Sequence, residues 1–204
     1  EGNTTTNGNI TPGYVGIITD TTTNWAASGF DSKSVSGPSV KYYDPTTNRY
    51  VGITNTTSYV MNTNSAYFNY VRGDRSCIPA NSSVATTTLR STGTLKTGNI
   101  AFSVTANKYA AIGNPYASAV DLRRVDTLNL TSTFYLWDPL LTGSYGIGAF
   151  QTVYKSGANY FILPGGGSYG SVNSAMDTLE SGQAFFVKAR SSTGTVTFKE
   201  SAKN

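Results

Sequence analysis

The chain has 204 residues, a length that suits one all-β sandwich or barrel domain or two smaller ones. Only 13% of the residues are charged, and 15 Lys and Arg against 11 Asp and Glu leave a net charge of +4 that is scattered along the chain, which argues against a nucleic-acid-binding surface. With no His and a single Cys, the chain lacks the commonest general base and transition-metal ligand, so we expect no enzyme, no cofactor and no metal site.

The beginning of the chain differs from the remainder. Residues 1–11 are a polar Thr, Asn and Gly run, which predicts a flexible N-terminal segment or linker. No charged segment followed by an apolar run opens the chain, and no stretch approaches the roughly 18 apolar residues of a membrane span. We therefore expect a mature or excised extracellular product whose domain occupies residues 12–204.

Alternating β-branched and aromatic runs, bounded by Gly, Asn, Pro and Asp, predict strands throughout that domain. They are expected at 14–19, 40–43, 49–54, 58–61, 67–72, 84–90, 93–95, 100–104, 109–112, 133–137, 150–154, 160–162, 184–189 and 195–199. The one predicted helix spans 119–125, where Ser118 would cap one or two turns. The pattern predicts an all-β fold, an antiparallel, jelly-roll-like β-sandwich with at most one short helix.

Two parts of the chain resemble each other. The run VKYYDP at 40–45 is answered by FYLWDP at 134–139, each an aromatic strand that ends in an Asp-Pro turn. The run at 67–72 is answered by the run at 184–190. These pairs suggest two pseudo-repeated halves, 12–100 and 101–204, that together build a sandwich. Coincidence among short aromatic strands is an equally weighted alternative.

Five phrases occur in a specific order: YVRGDRS at 70–76, TTLRSTGTLKTG at 87–98, IGNPYAS at 112–118, WDP at 137–139 and ESGQAFFV at 180–187. As an ordered set they resemble the β-rich region near the C-terminus of very large, secreted, repeat-containing proteins of the Bacteroidota, just before the type IX secretion sorting domain. The resemblance covers roughly residues 40–204. It implies export to the cell surface or the extracellular space and a role in adhesion or assembly, and it supplies no catalytic residues.

The same resemblance implies O-glycosylation, because secreted proteins of that phylum carry sugars at Asp followed by Ser or Thr and then a small or hydrophobic residue. Thr127 and Thr178 are similar to this motif, and Thr21 is a further candidate. An ordinary Asp-Thr turn is an equally good interpretation of each.

Carboxylates and loops offer weaker candidates for chemistry. Asp44, Asp138 and Glu180 would suit glycoside hydrolysis, which needs two carboxylates about 5–10 Å apart. Both Asp residues precede Pro, however, where a side chain that accepts backbone N–H bonds in a turn is the commoner use. The Gly-rich stretch 163–174 lacks the Lys and the following helix of a phosphate-binding loop, so we expect an architectural loop.

Aromatic residues are the remaining candidates for recognition. Trp137 is predicted to be buried, whereas Tyr145 and Tyr169 lie in Gly-rich loops and are the candidates for surface contact. The favoured function is a structural or adhesive module of an exported cell-surface or extracellular filament protein, with neighbouring domains or further copies of itself as partners. The alternative is a carbohydrate-binding module, which a flat line of exposed rings with nearby amides would indicate; a glycoside hydrolase is the remote third.

Overall fold

The computed structural model describes residues 40–53, 66–69, 94–143 and 148–204. The chain divides into two compact units, one of Glu1–Asp44, Arg49–Asn62 and Tyr67–Thr94, the other of Pro45–Asn48, Thr63–Ala66 and Leu95–Asn204. The predicted segment 1–11 and the predicted strands at 14–19, 58–61 and 84–90 lie outside the described residues. The proposed domain 12–204 and its halves stay a prediction.

Thirteen strands account for most of the regular structure in the described residues. They are β1 (Val40–Asp44), β2 (Arg49–Gly52), β3 (Tyr67–Asn69), β4 (Ile100–Val104), β5 (Tyr109–Gly113), β6 (Val120–Asp121), β7 (Asp126–Leu128), β8 (Leu130–Asp138), β9 (Ala149–Ser156), β10 (Asn159–Leu163), β11 (Thr178–Leu179), β12 (Ala184–Ala189) and β13 (Gly194–Phe198). All the pairings among them are antiparallel.

The first unit contributes a three-stranded sheet in the order β2-β1-β3. β1 ends at the predicted Asp-Pro turn, because Pro45 has no N–H to donate to a ladder. Asn48 then takes a φ of 56°, a left-handed conformation that Asn tolerates, and β2 follows directly. Val40 and Ile53 are buried opposite each other, and the Ile53 amide donates to the Val40 carbonyl at 2.9 Å.

The second unit is a sandwich of two sheets. Five strands run in the order β10-β9-β8-β12-β5, and three run in the order β4-β13-β7. β4 and β5 are consecutive along the chain but belong to different sheets, so the turn between them connects the two layers. The short strands β6 and β11 pair to form a separate two-stranded sheet.

One hydrophobic core lies between these sheets. Phe134 and Phe185 of the larger sheet meet at 4.8 Å between ring centroids, and Phe198 of the smaller sheet lies 6.3 Å from Phe185. Val187 and Val196, one from each sheet, are fully buried. The expected all-β antiparallel sandwich is confirmed.

The predicted helix at 119–125 is wrong in extent and in its cap. A 3₁₀ turn covers only Leu122–Arg124, and the Asp121 side chain caps it by accepting from the Arg123 amide at 2.9 Å. Val120 is drawn into strand pairing with Leu179, which leaves too few residues for an α-helical turn. The second 3₁₀ turn is Glu200–Ala202, and no helix among the described residues is long and apolar enough to cross a membrane.

Most predicted strands within the described residues are present, and three short strands were not predicted. Thr94 and Leu95, part of a predicted strand, are irregular. The missed strands are β6, β7 and β11, which are two or three residues long. So short a segment shows no alternation, and its pairing depends on partners distant in the chain.

The three-stranded sheet of the first unit repeats part of the second. The order β2-β1-β3 matches the order β9-β8-β12. In the registers, Tyr43 is opposite Tyr50 as Trp137 is opposite Phe150. Asn48 and Gly148 both have positive φ directly before the second strand of their sheet. The resemblance noted in the sequence therefore extends to strand order and register.

Candidate functional site

The five-stranded sheet carries an aromatic outer face. Because side chains alternate across a strand, residues between core-facing neighbours point outward. Seven rings share this side: Tyr109, Tyr135, Trp137, Phe150, Tyr154, Phe161 and Phe186. Phe150 is 37% exposed, and Leu163 on the same side is 47% exposed. An antiparallel sheet facing water normally carries polar side chains there, so this face is typical of a contact surface.

Phe150 stands between two rings that are nearly perpendicular to it. Its centroid lies 5.0 Å from that of Trp137 at an interplanar angle of 78°, and 5.7 Å from that of Phe186 at 86°. Edge-to-face contacts of this kind are favoured by the ring quadrupoles. We call Trp137, Phe150 and Phe186 the second triad. Its rings do not form the flat line expected of a sugar-stacking platform.

The first unit has an equivalent set, Tyr43, Tyr50 and Phe68, which we call the first triad. Tyr50 lies 6.0 Å from Tyr43 at 70° and 5.6 Å from Phe68 at 53°. Like Phe150, Tyr50 is the exposed member, at 43%. Burial, with a further contribution from Tyr43, raises the pKa of the Tyr50 hydroxyl to about 12, so it is neutral at pH 7.

Each triad shares its sheet face with one lysine. Lys41 lies opposite Phe68 in the register, and Lys188 Nζ lies 5.4 Å from the centroid of the Tyr109 ring. Burial raises the pKa of the Tyr109 hydroxyl, and the neighbouring Tyr135 raises it further, so Tyr109 is neutral. The described strands place no Asp or Glu on either face. Both faces are therefore aromatic and weakly cationic.

The outer face of the β4-β13-β7 sheet is different in character. Its outward residues are Ala101, Ser103, Thr195, Thr197, Asp126 and Leu128. Small and hydroxyl-bearing side chains dominate, as is usual for a solvated sheet face. The aromatic face is thus a property of one layer of the sandwich only.

Asp138 is a buried anchor rather than an accessible carboxylate. It is fully buried and accepts hydrogen bonds from the Ser168 amide at 2.8 Å, the Ser168 hydroxyl at 2.7 Å and the Leu140 amide at 3.0 Å. Burial opposes the charged form, but these bonds outweigh it and hold the pKa of Asp138 below its usual value. The predicted role as a turn residue that accepts backbone N–H bonds is confirmed.

Gln151 fixes the Gly-rich loop from the same buried position. Its Oε1 accepts from the Gly165 amide at 3.0 Å, and its Nε2 donates to the Gly166 carbonyl at 3.1 Å. A Cβ at Gly167 would collide with the Asp138 carboxylate, and the φ of Gly167 is 59°, so that position requires glycine. These bonds agree with the expected architectural role of the loop.

Two residues of the phrase at 112–118, Asn114 and Tyr116, make hydrogen bonds that connect separate parts of the fold. The Tyr116 hydroxyl lies 2.6 Å from the Gly98 carbonyl oxygen and 3.1 Å from the Phe198 carbonyl oxygen, and its single proton is shared between these two acceptors. Asn114 Nδ2 donates to the carbonyls of Ser118, at 2.9 Å, and Leu179, at 3.2 Å. These residues join the two sheets and the β6-β11 pair, so their role in this chain is to hold the fold.

The surface residues predicted from the sequence are placed as follows. Tyr169 is half-buried against the core, its hydroxyl accepts from Gln183 Nε2, and burial, then Asp138, raises its pKa. Thr127 is exposed in β7, whereas Thr178 is half-buried in β11. Thr21 and Tyr145 lie outside the described residues. Surface contact and glycosylation at these positions stay predictions.

Trp137 was predicted to be buried, and the structure agrees only in part. It is half-buried on the outer face, because Phe134, Leu136 and Asp138 occupy the inner side of β8. Phe150 and Phe186 were not predicted to take part in contacts. The sequence features that could have identified them are the alternation of each strand and the similarity to the first triad.

The other acidic residues, Asp44, Glu180 and Asp121, form no cluster of metal ligands among the described residues. Asp44 pairs with Arg49 in the register of the first unit, and Glu180 is exposed. Asp121 is buried and ion-paired with Arg123 at 2.8 Å, and hydrogen bonds from Arg123 lower its pKa against the opposing effect of burial. No group of three potential metal ligands occurs in the described part of the chain.

Comparison with known proteins links the chain to a family. A family model described as a domain of unknown function, DUF8693, matches residues 16–204. Neither the curated proteins nor the solved structures contain a match to the chain.

Proposed function

Since this chain belongs to the family of the domain of unknown function DUF8693, whose description names no activity, we propose its function from its own residues. We propose a non-catalytic structural and adhesive module of an exported cell-surface or extracellular protein. The partner it contacts is a protein surface, and the contact is made through the aromatic outer face of the five-stranded sheet.

The observation that carries this proposal is the aromatic face itself. Its rings lie on one outer layer, Phe150 and Leu163 are exposed there, and the opposite outer layer is polar. Cores of protein interfaces are enriched in Tyr, Trp and Phe and depleted in charge, as this face is. The edge-to-face arrangement of the second triad favours a protein partner over a sugar ring, which stacks on a flat ring face.

Two observations support a non-catalytic role. The chain has no His, and the buried Asp138 is committed to holding the Gly-rich loop. Residues of the ordered phrases, such as Asn114 and Tyr116, are engaged in hydrogen bonds that join the sheets. The polar groups of Asn114 and Tyr116 are therefore occupied by contacts that stabilise the fold.

The extracellular assignment rests on composition and on the resemblance to secreted proteins of the Bacteroidota. Few charges, many Thr, Ser, Asn and Tyr residues, and a single Cys suit an exported β-domain. Type IX secretion is the export route that the resemblance suggests.

The test is retention of beads coated with the chain on intact cells of the bacterium that produces it. We expect retention above that of uncoated beads, lost after protease treatment of the cells and kept after periodate oxidation of their glycans. The variant Phe150→Ser should reduce retention. Leu128→Ser is the matched control, because Leu128 is also an exposed apolar residue, at 63%, but lies on the polar layer.

Two outcomes would overturn the proposal. Retention that survives protease but is lost after periodate would identify a carbohydrate-binding module. Retention equal to that of uncoated beads would exclude an adhesive role.

A further inference from the structure

We propose that Tyr109 and Tyr135 form an oxidative cross-linking site, at which a haem peroxidase with hydrogen peroxide joins the two phenol rings as dityrosine. This inference goes beyond the proposed function, because it concerns a covalent modification of the chain itself and not its adhesive partner. It shares with that function only the extracellular location, where oxidising conditions prevail.

The two tyrosines lie on strands that are not paired with each other. Tyr109 of β5 is opposite Lys188 of β12, and Tyr135 of β8 is opposite Phe186 of the same strand. Neighbouring strands are about 4.8 Å apart, so β5 and β8 are about 10 Å apart and only long side chains meet across β12. These two rings do meet, with centroids 6.1 Å apart at an interplanar angle of 63°.

The reactive ends of the two rings are adjacent. Phenoxyl radicals couple through the ring carbons next to the hydroxyl, so the hydroxyl-bearing ends must lie together. Burial is the largest cause of the raised pKa of Tyr109, and the Tyr135 hydroxyl raises it further by charge and by a hydrogen bond. Both rings are half-buried on the outer face, where side chains change rotamer within nanoseconds and reach the closer approach that coupling needs.

Other tyrosines of the second unit are placed differently. The Tyr154 hydroxyl donates to Asn173 at 2.8 Å, and its ring lies against Phe161, not against a tyrosine. Tyr160 is buried in the core, and the Tyr116 hydroxyl lies against two backbone carbonyls. The geometry therefore singles out Tyr109 and Tyr135 in this unit.

The first unit also contains two tyrosines in ring contact. The centroids of Tyr43 and Tyr50 are 6.0 Å apart, and burial, then the charge of Tyr43, raises the pKa of Tyr50 to about 12. These residues are directly opposite on β1 and β2, so a bond between them would join two strands that a hairpin already pairs. A bond between Tyr109 and Tyr135 would instead span three strands of one sheet.

The oxidation removes one electron and one proton from each phenol hydroxyl, and hydrogen peroxide accepts them and is reduced to two molecules of water. The two radicals then form one carbon–carbon bond between the ring carbons next to the oxygens. Each of those carbons loses its hydrogen as a proton while each oxygen takes up a proton, which restores both hydroxyls and both aromatic rings. The net change in the protein is the loss of two hydrogen atoms.

A cross-link at this position would stabilise an edge strand. β5 is the last strand of its sheet and is hydrogen-bonded there to β12. The chain has a single Cys and so forms no internal disulfide, whereas it has 14 Tyr. A bond between residues 109 and 135 closes a loop of the chain that contains β6 and β7, and such a closure restricts the unfolded chain as a disulfide does.

The experiment treats the whole chain with a haem peroxidase and hydrogen peroxide, at a protein concentration low enough to disfavour coupling between molecules. Intact mass spectrometry should show the loss of two hydrogen atoms, and proteolysis should yield a linked peptide pair that contains Tyr109 and Tyr135. Tyr109→Phe and Tyr135→Phe should each lower the yield of intramolecular dityrosine at least about 10-fold, because adjacent groups react much faster than separated ones. Tyr154→Phe is the matched control on the same face and should cross-link like the wild type.

The peptide map of the wild type keeps the proposal testable if a Phe variant fails to fold. No intramolecular product, a cross-link found only between other tyrosines, or an undiminished yield in Tyr109→Phe would overturn the inference. The cross-linked protein should unfold at a midpoint about 5 °C or more above that of the untreated protein, and an unchanged midpoint would exclude the stabilising role. Cross-linking without bead retention on cells would leave this inference standing and remove the adhesive function, and retention without cross-linking would do the reverse.

Discussion

Asp138 and Gln151 decide how the Gly-rich loop folds, although each is a polar residue in a fully buried position. Burying a carboxylate costs free energy unless its lone pairs are occupied by donors. Ser168 and Leu140 supply those donors, and Gln151 holds Gly165 and Gly166 beside them. A residue that the sequence offers as a catalytic acid is thus fixed as a structural anchor by its hydrogen bonds.

Replacement of Asp138 should destabilise the folded protein. We expect Asp138→Asn to lower the free energy of unfolding by about 2–4 kcal/mol, because an amide cannot replace a charged acceptor of four hydrogen bonds and places a donor among donors. Urea denaturation measures the change. Asp126→Asn is the control, since Asp126 is exposed and pairs with Lys199 on the surface, and it should cost under about 1 kcal/mol. Equal losses of unfolding free energy in the two variants would show that Asp138 is not a structural anchor.

The same carboxylate predicts a pH dependence of stability. The folded pKa of Asp138 lies below its unfolded value, so its contribution is present above the unfolded pKa of about 3.9 and is lost as pH falls through the folded pKa. We expect the wild type to lose stability below about pH 4 and Asp138→Asn to lose less over that window. Denaturation midpoints at several pH values test this, and parallel curves would contradict it.

Glycosylation, if the predicted motif is used, should distinguish two threonines by their exposure. Thr127 is exposed in β7, whereas Thr178 is half-buried and its strand pairs with Asp121. We expect intact mass spectrometry of the protein isolated from its native host to show sugar on Thr127 and none on Thr178. Thr127→Ala should remove the added mass and Thr178→Ala should not. Sugar on Thr178 alone would contradict this order.

At the scale of elements, side-chain hydrogen bonds join strands that are distant in the chain. Tyr116 follows β5 and reaches the carbonyl of Phe198 at the end of β13. Its ring also meets Phe198 edge to face at 6.4 Å, and Lys203 Nζ lies 4.3 Å from its centroid. This one side chain therefore connects the larger sheet, the smaller sheet and the C-terminal turn.

Removal of the Tyr116 hydroxyl tests the connection. We expect Tyr116→Phe to lower the free energy of unfolding by about 1–3 kcal/mol, because the carbonyls of Gly98 and Phe198 lose the one donor that they share. Tyr154→Phe is the matched control, since its hydroxyl donates to Asn173 at the surface, and it should cost under about 0.5 kcal/mol. Thermal or urea unfolding followed by circular dichroism gives both values; a larger loss in the control would exclude Tyr116 as a connecting residue.

At the scale of the whole molecule, two compact units each have their own sheet. The core cluster of the second unit draws all its buried residues from positions 102–202. The second unit also contains both layers of the sandwich and the anchored Gly-rich loop. The residues that form its core therefore lie in one continuous stretch of the chain.

Because these core residues are continuous in the sequence, we predict that residues 95–204 fold on their own. About 110 residues with a two-layer core are enough for a stable domain. We expect cooperative thermal unfolding and a near-ultraviolet circular dichroism signal from the buried rings. The same fragment with Val187→Asp, a charge at a fully buried site, should show neither. An unfolded wild-type fragment would mean that this unit needs the rest of the chain.

Much of this protein was determined by its sequence alone. Alternation and turn residues are local signals, so they located strands such as 184–189, which matches β12 residue for residue, and the Asp-Pro turn that ends β8. The repeat at 40–45 and 134–139 was also legible in the sequence, and the absence of His is a fact of composition.

Only the tertiary structure decided which side of each strand is the core. Alternation separates two sides but does not label them, so Trp137, which was predicted to be buried, lies half-buried on the outer side. Strand order, register and the hydrogen bonds of Asp138 and Asn114 likewise depend on residues distant in the chain. The aromatic faces exist because these nonlocal pairings set rings from separate strands side by side.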